Sequence, residues 1–279
     1  MADVVILSLV EGDACGTRVP VLRCVDALSS MGAKALPVVA GSDAAIDEAL
    51  SRLPDVRLVI AAESTAQLRH VLRRMVRRYA PPPSKRPSDF PINRTVSDLP
   101  TVGVLPLAPL AFELPGDPDT VAKAVLGSTV TKLDLLRHDG GSVTIDGVLV
   151  GAASESGTPL AWRGRIDVDD TTLSDGTEPI IALSVANAGG TAQLDGLPLV
   201  TAPNPADGLI DVAVAIPVSH KPFLGKARLR YEVRRAQGRA VAVTPRDPDL
   251  PFLDDGVAGV LNRKRSWWIE PSAWSVYTS

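Results

Sequence analysis

Apolar residues in the first half of the chain switch between short continuous runs and helical spacing. Asp3–Val10 is an apolar run that predicts a strand, and Val19–Met31 carries Val21, Leu22, Val25 and Leu28 at helical intervals. Ala35–Val39 predicts a second strand, and Ser42–Arg52 a helix opened by Ser42 as its cap. Val56–Ile60 predicts a third strand. Thr65–Tyr79 sets Leu68, Val71, Leu72, Met75, Val76 and Tyr79 on one side of a helix. Thr101–Leu105 predicts a fourth strand, and a helix through Val121, Ala122, Val125 and Leu126 follows Asp117. Repeated β-α units of this kind imply a parallel sheet covered by helices.

Near Val130 the pattern changes to period two. Strands are predicted over Val130–Leu136, Ser142–Ile145, Gly147–Ala152, Gly164–Val168, Ile180–Ala186, Leu209–Ile216, Ala227–Val233 and Arg239–Thr244, with glycine, proline and aspartate between them. The expected architecture is α/β plus all-β. A doubly wound parallel-sheet domain over 1–129 precedes an antiparallel β-sandwich domain over 130–279. Residues 80–100, with Pro81, Pro82 and Pro83 in succession, predict an exposed proline-rich loop. At about twenty residues it exceeds the usual connection between elements.

Composition narrows the function classes. The 279 residues are 45% hydrophobic and 22% charged, a globular balance, and the net charge of -3 argues against a general nucleic-acid binder. Cys15 and Cys24 are the only cysteines, which fits two reduced thiols, one disulfide, or a reactive Cys15. No leader-like opening and no apolar run of membrane length is present, so a cytoplasmic protein is expected.

The stretch Leu58 to Thr65 carries the chemistry that matters most. It reads as an apolar strand, a tight turn and a helix start, the place where many α/β proteins hold a phosphate. Such a turn favours glycine, because backbone must approach the anion closely. Ala61, Ala62 and Glu63 stand there instead.

Several phrases, in order and spacing, resemble the diacylglycerol kinase catalytic family, soluble bacterial lipid kinases related in fold to NAD kinases. Ser184-Val185-Ala186-Asn187-Ala188-Gly189-Gly190 resembles the family's strand ending in an asparagine-glycine turn. Ala202-Pro203-Asn204-Pro205-Ala206-Asp207-Gly208-Leu209-Ile210-Asp211-Val212 resembles its Ala-Pro…Asp-Asp-Gly-Leu-Leu-Asp-Val segment. Thr131–Leu135, with Asp134, resembles the phrase between the two domains, and Val102–Leu107 the strand before the second nucleotide loop. The resemblance covers nearly the whole chain. It implies the two-domain fold above, with the C-terminal segment packing back on the first domain.

The departures from the family pattern shape the functional expectation. Ala61-Ala62-Glu63-Ser64-Thr65 replaces Gly-Gly-Asp-Gly-Thr, and Pro106-Leu107-Ala108-Pro109-Leu110-Ala111-Phe112 replaces Pro-Leu-Gly-Thr-Ala-Asn-Asp-Phe. Leu253-Asp254-Asp255-Gly256-Val257 sets Val257 where the family's general base falls, and Leu9 to Ala14 replaces its first phosphate loop. The expectation is a pseudokinase with no cofactor, retained as a ligand-binding, regulatory or assembly module for a protein partner or a small lipid-like ligand. The rival is an active ATP- and Mg2+-dependent lipid kinase. It would use Glu63 for the motif aspartate and Asp254 or Asp255 as base, with nucleotide against Ala61, Ala62, Ser64, Thr65 and Ala108. Homodimerisation through strand edges is a further expectation.

Other clusters add less. His70, His138 and His220 are too scattered for a metal site. Asp207 and Asp211 sit where some family members hold a cation, but Ala206 replaces the preceding aspartate, and a solvated turn is expected. The pairs Asp169-Asp170 and Asp254-Asp255 are expected in solvated loops. Arg69, Arg73, Arg74, Arg77 and Arg78 make a basic amphipathic helix, whose arginines either face water or meet an anionic membrane peripherally or an acidic partner, with Lys85 and Arg86 nearby. Arg263-Lys264-Arg265-Ser266-Trp267-Trp268 combines basic and interfacial residues that could sit at a membrane surface, but reads first as a turn followed by a strand, with Trp268 and Trp274 in the core.

Overall fold

The structure is a computed structural model, and it describes residues 3–10, 18–80, 95–96, 99–110, 114–189, 193–194, 196–220 and 228–279. The chain divides into two compact units, Met1–Asp134 with Glu270–Ser279, and Leu135–Ile269.

In the first unit the elements follow in the order β1 (Val4–Leu9), α1 (Val19–Ser30), β2 (Ala35–Ala40), α2 (Asp43–Leu50), β3 (Arg57–Ala62), α3 (Thr65–Tyr79), β4 (Val102–Pro106) and α4 (Pro118–Leu126). The strands pair in parallel in the order β2-β1-β3-β4. Val4 to Leu7 of β1 are fully buried, as expected of a strand covered on both faces. Ser42 caps α2 by accepting the Ala45 amide at 3.3 Å. Leu68, Val71, Leu72, Met75 and Val76 line the buried side of α3. Gly103 lets β4 and α4 approach, because a Cβ there would come within 2.4 Å of Val125 Cγ2. The strand Arg265–Tyr277 ends in this unit, where Val276 pairs in parallel with Val102. Trp274 donates its indole N–H to the Asp134 carbonyl at 2.9 Å, and the Asp134 carboxylate accepts the Ser272 amide at 2.6 Å.

The second unit is built of antiparallel strands. Six form one sheet, in the order Arg228–Gly238, Ile210–His220, Ala182–Ala186, Gly147–Val150, Leu250–Asp254, Val257–Leu261. Another set runs Thr171–Asp175, Gly164–Val168, Ala240–Pro245 and the start of Arg265–Tyr277. Val212, Val214 and Ile216 share a core with Ile166, Val241, Val243 and Trp267, so residues from both sets pack face to face. The alternate residues Ala213 and Ala215 turn to the other face, against Leu199 and Val200.

The strands Thr171–Asp175, Leu250–Asp254 and Val257–Leu261 were not anticipated, while Arg265–Tyr277 is the strand expected after the Arg263–Arg265 turn. Trp162, Trp267 and Trp274 are buried, whereas Trp268, expected in the core, is only partly buried, because strand alternation turns it away from the side that Trp267 takes.

Candidate functional site

In the first unit the order β2-β1-β3-β4 makes the chain reverse its direction of growth between β1 and β3. Open α/β sheets bind ligands beyond the carboxyl ends of the strands at such a reversal. Ala61 and Ala62 close β3 there, both within 1% of complete burial. Ala61 belongs to the core cluster that includes Leu105 and Val121. The next residue, Glu63, forms an ion pair with Arg18, the residue that precedes α1.

The start of α3 is answered by its own side chains. Ser64 Oγ accepts the Gln67 amide at 3.3 Å, and Gln67 Oε1 accepts the Glu63 amide at 3.0 Å. This reciprocal cap engages two amides that an incoming anion would otherwise use. Thr65 opens the helix, partly exposed. Arg18 was not singled out from the sequence. It lies far from Glu63 along the chain, and only the adjacency of β1 and β3 brings the two together.

Beyond β4 the Leu107 amide donates to the Ala62 carbonyl at 2.8 Å. A cavity of about 310 Å3 follows, lined by Pro106, Leu107, Ala108, Pro109, Leu110, Leu114 and Gly116. Ala108 is exposed and brings a methyl, and Pro109 has no N–H to give. None of these lining side chains is a polar ligand for a phosphate or a magnesium ion.

In the second unit Asp254 and Asp255 lie at the turn between Leu250–Asp254 and Val257–Leu261. Asp255 and Gly256 have φ of 51° and 81°, the backbone of a two-residue hairpin turn that favours Asp-Gly. The expectation of a solvated loop is corrected here, because the two carboxylates are 4% and 3% exposed. Asp255 accepts the amides of Ile145, Asp146 and Gly147 at 2.8, 2.8 and 3.0 Å. Thr144 Oγ1 donates to Asp254 at 2.7 Å. Asn187 joins the same knot, its side chain donating to the Ile145 carbonyl at 2.7 Å and its amide to the Asp146 carbonyl at 2.8 Å. His138 accepts the Gly140 amide at Nδ1, and its Nε2 lies 3.9 Å from Asp254. These groups tie three turns together, and the Asp255 lone pairs point at backbone. Val257 is exposed.

The remaining expected groups separate. Asp207 accepts the Leu209 amide at 2.9 Å in a local turn. Asp211 accepts from Gln237 at 3.0 Å and lines a cavity of about 400 Å3 with Thr201, Arg235 and Gln237, and burial raises its pKa. Among the described residues no group of three His, Cys, Asp or Glu side chains is placed to hold a metal ion. On α3, Arg74 does not face water freely: it donates to Asp43 and Asp47 of α2, and His70 also meets Asp43. Arg77 and Arg78 are exposed, and Arg69 and Arg73 partly so. Cys24 is buried and unpaired by disulfide, and burial pushes its pKa up to about 11. Leu9–Ala14 beyond Val10, Cys15, most of the proline-rich loop with Lys85 and Arg86, Ala111, Phe112, Gly190 and the His220 side chain lie outside the described residues.

No protein-family model matches the sequence, and no curated protein matches it. Solved structures do. A diacylglycerol kinase from Bacillus anthracis superposes with a TM-score of 0.67 at 11% identity, covering 100% of this chain and 97% of that one. Yeast NADH kinase complexed with NADH superposes with a TM-score of 0.52 at 12% identity, covering 100% of this chain and 84% of that one. No helix among the described residues is long and apolar enough to cross a membrane. The chain therefore has the fold shared by diacylglycerol kinase and NADH kinase structures.

Proposed function

We propose that this protein is a catalytically degenerate diacylglycerol-kinase-like protein, a pseudokinase whose scaffold serves as a ligand-binding, regulatory or assembly module in the cytoplasm. The observation that carries this reading is the crevice between β1 and β3, where buried alanine methyls and the Arg18–Glu63 ion pair take the place of a phosphate cradle. A triphosphate set there would face the Glu63 carboxylate. Two unit charges of like sign at 4 Å repel by roughly 4 kcal/mol at an effective dielectric of 20. The Arg18 guanidinium beside it is already committed to Glu63.

The second unit supports the same reading. A positioned general base contributes about 10²–10⁴ in rate, and Val257 has no group to titrate. Asp254 and Asp255 are engaged in fastening turns. These residues do not fit ATP and magnesium.

A lipid-like ligand or a protein partner has support of its own. Pro251, Leu253, Ala258 and Val260 point outward from the hairpin, where Leu253 and Val260 are 44% and 51% exposed. Leu253 pairs with Leu149, which lines an adjoining apolar cavity of about 170 Å3.

The test is phosphoryl transfer. Purified protein, magnesium, labelled ATP and diacylglycerol in mixed micelles are expected to give no labelled lipid above a heat-killed control. Transfer that vanishes in Glu63→Gln or Asp254→Asn would establish the rearranged kinase instead.

A further inference from the structure

Strand alternation gives one end of the six-stranded sheet a polar corner on its outer side. Val212, Val214 and Ile216 face the core of the second unit, so Asp211 and Ala213 face the opposite way. Their cross-strand partners on Arg228–Gly238 are Gln237 and Arg235, which share that side. Leu199 and Val200 pack against Ala213 and Ala215 and form a wall beside these polar groups. The cavity of about 400 Å3 lies here, large enough for a small metabolite.

Two opposite charges line this cavity without pairing to each other. The Arg235 guanidinium is fixed in place, its Nε donating to the Leu199 carbonyl at 2.7 Å and its Nη2 to the Pro198 carbonyl at 2.9 Å. Its Nη1 carries two further N–H groups, which have no acceptor among the described residues. Asp211 accepts from Gln237 at Oδ1 and forms no ion pair among the described residues. Burial raises its pKa, the Gln237 bond opposes the rise, and the Asp207 carboxylate adds to it. Thr201 brings to the same cavity a hydroxyl with no hydrogen bond among the described residues.

The two charges limit what fits between them. A lone anion on Arg235 would lie beside the Asp211 carboxylate, and a lone cation on Asp211 beside the guanidinium. A polyol would hydrogen-bond to both and leave both charges uncompensated. A small molecule that carries both signs meets each group with its opposite.

We propose that this cavity binds a small zwitterion of the free amino-acid type, with its ammonium on Asp211 and its carboxylate on Arg235. The site lies wholly in the second unit, so it does not depend on the pseudokinase reading of the crevice between β1 and β3.

Thermal melts of the full chain with a panel of the common free amino acids, each in millimolar excess, test it, followed by isothermal titration of those that respond. At least one is expected to raise the melting temperature and to bind saturably. Its N-acetyl form, which lacks the ammonium, and its amide, which lacks the carboxylate, should each bind at least about tenfold more weakly, the loss of one hydrogen bond between charged groups. Asp211→Asn and Arg235→Gln should each weaken binding to the same degree. Asp211→Asn keeps an oxygen for Gln237, and circular dichroism should show it folded as the parent is. Arg230→Gln, on the same strand but turned to the other side, should change affinity less than about twofold. No response to any amino acid would overturn the proposal, as would equal binding of the N-acetyl or amide form, or unchanged affinity in folded Asp211→Asn. So would binding of inorganic phosphate or of glycerol that depends on Arg235 or Asp211 in the absence of amino-acid binding, which would assign the cavity to an anion or a polyol.

Discussion

Replacing Asp255 separates a structural carboxylate from a catalytic one. Its side chain is 3% exposed and accepts three backbone amides, from Ile145, Asp146 and Gly147. Asp255→Ala leaves all three donors without their acceptor. Each buried unsatisfied donor costs about 1–3 kcal/mol. The residue also has a φ of 51°, where alanine pays roughly 1–2 kcal/mol more. A loss of about 4 kcal/mol or more is expected, a large share of the roughly 5–15 kcal/mol that keeps a domain folded. Asp255→Asn tolerates the left-handed backbone and keeps one carbonyl oxygen, so it should lose about 1–3 kcal/mol. Urea unfolding followed by circular dichroism gives the two losses. Hydrogen-exchange mass spectrometry of the peptide spanning 143–149 locates them, because its amides should exchange faster in both variants. A carboxylate held in place for proton transfer behaves differently, since active-site residues are often replaced without cost to stability. An Asp255→Ala protein within about 1 kcal/mol of the parent would refute the structural role.

Two further outcomes follow from local electrostatics. The Asp43 pKa is lowered chiefly by the His70 hydrogen bond and that of Asp47 by Arg74, so both carboxylates titrate lower folded than unfolded. Their contribution is therefore present above the unfolded value of about 4 and is lost as pH falls through the lower folded values; Arg74→Gln should flatten that acid limb of the stability profile, measured by thermal melts across pH. Cys24, with its pKa raised to about 11 by burial, should resist a thiol reagent at pH about 8 in a Cys15→Ser background until denaturant is added. Rapid labelling of the native protein would contradict that burial.

The legible parts of this molecule are those set by local periodicity. The α3 helix spans Thr65–Tyr79, the limits read from its apolar spacing, and Ser42 caps α2 as its position before an apolar-periodic run implies. The hairpin at Asp255-Gly256 was within reach, since Asp-Gly between two apolar stretches is a strong turn signal. Its flanking strands were overlooked because Pro251 and Gly259 interrupt their alternation. What the acidic pair does was not legible. The acceptors face amides more than one hundred residues earlier in the chain, and only the pairing of Leu250–Asp254 with Gly147–Val150 brings them together. The same holds for the candidate site. The absence of glycine from Ala61-Ala62-Glu63 is plain in the sequence, but the ion pair of Glu63 with Arg18 depends on β1 lying beside β3. Arg74 likewise reads as one more surface arginine until α2 supplies its two aspartates.

The fold is shared with diacylglycerol kinase and NADH kinase structures, while the groups at the end of β3 and beyond β4 are hydrocarbon, a committed ion pair and proline. The parallel core rests on Val4–Leu7 and the buried side of α3, so a fold of this kind is held by residues other than the turn at Glu63 and the segment after β4.

Isothermal titration of the full chain with ATP and magnesium tests this most directly. The account predicts no saturable heat at nucleotide concentrations up to about 1 mM, the upper end of ordinary substrate affinities. A micromolar dissociation constant, lost on substitution of Thr65 or on mutation of Arg18, would contradict it.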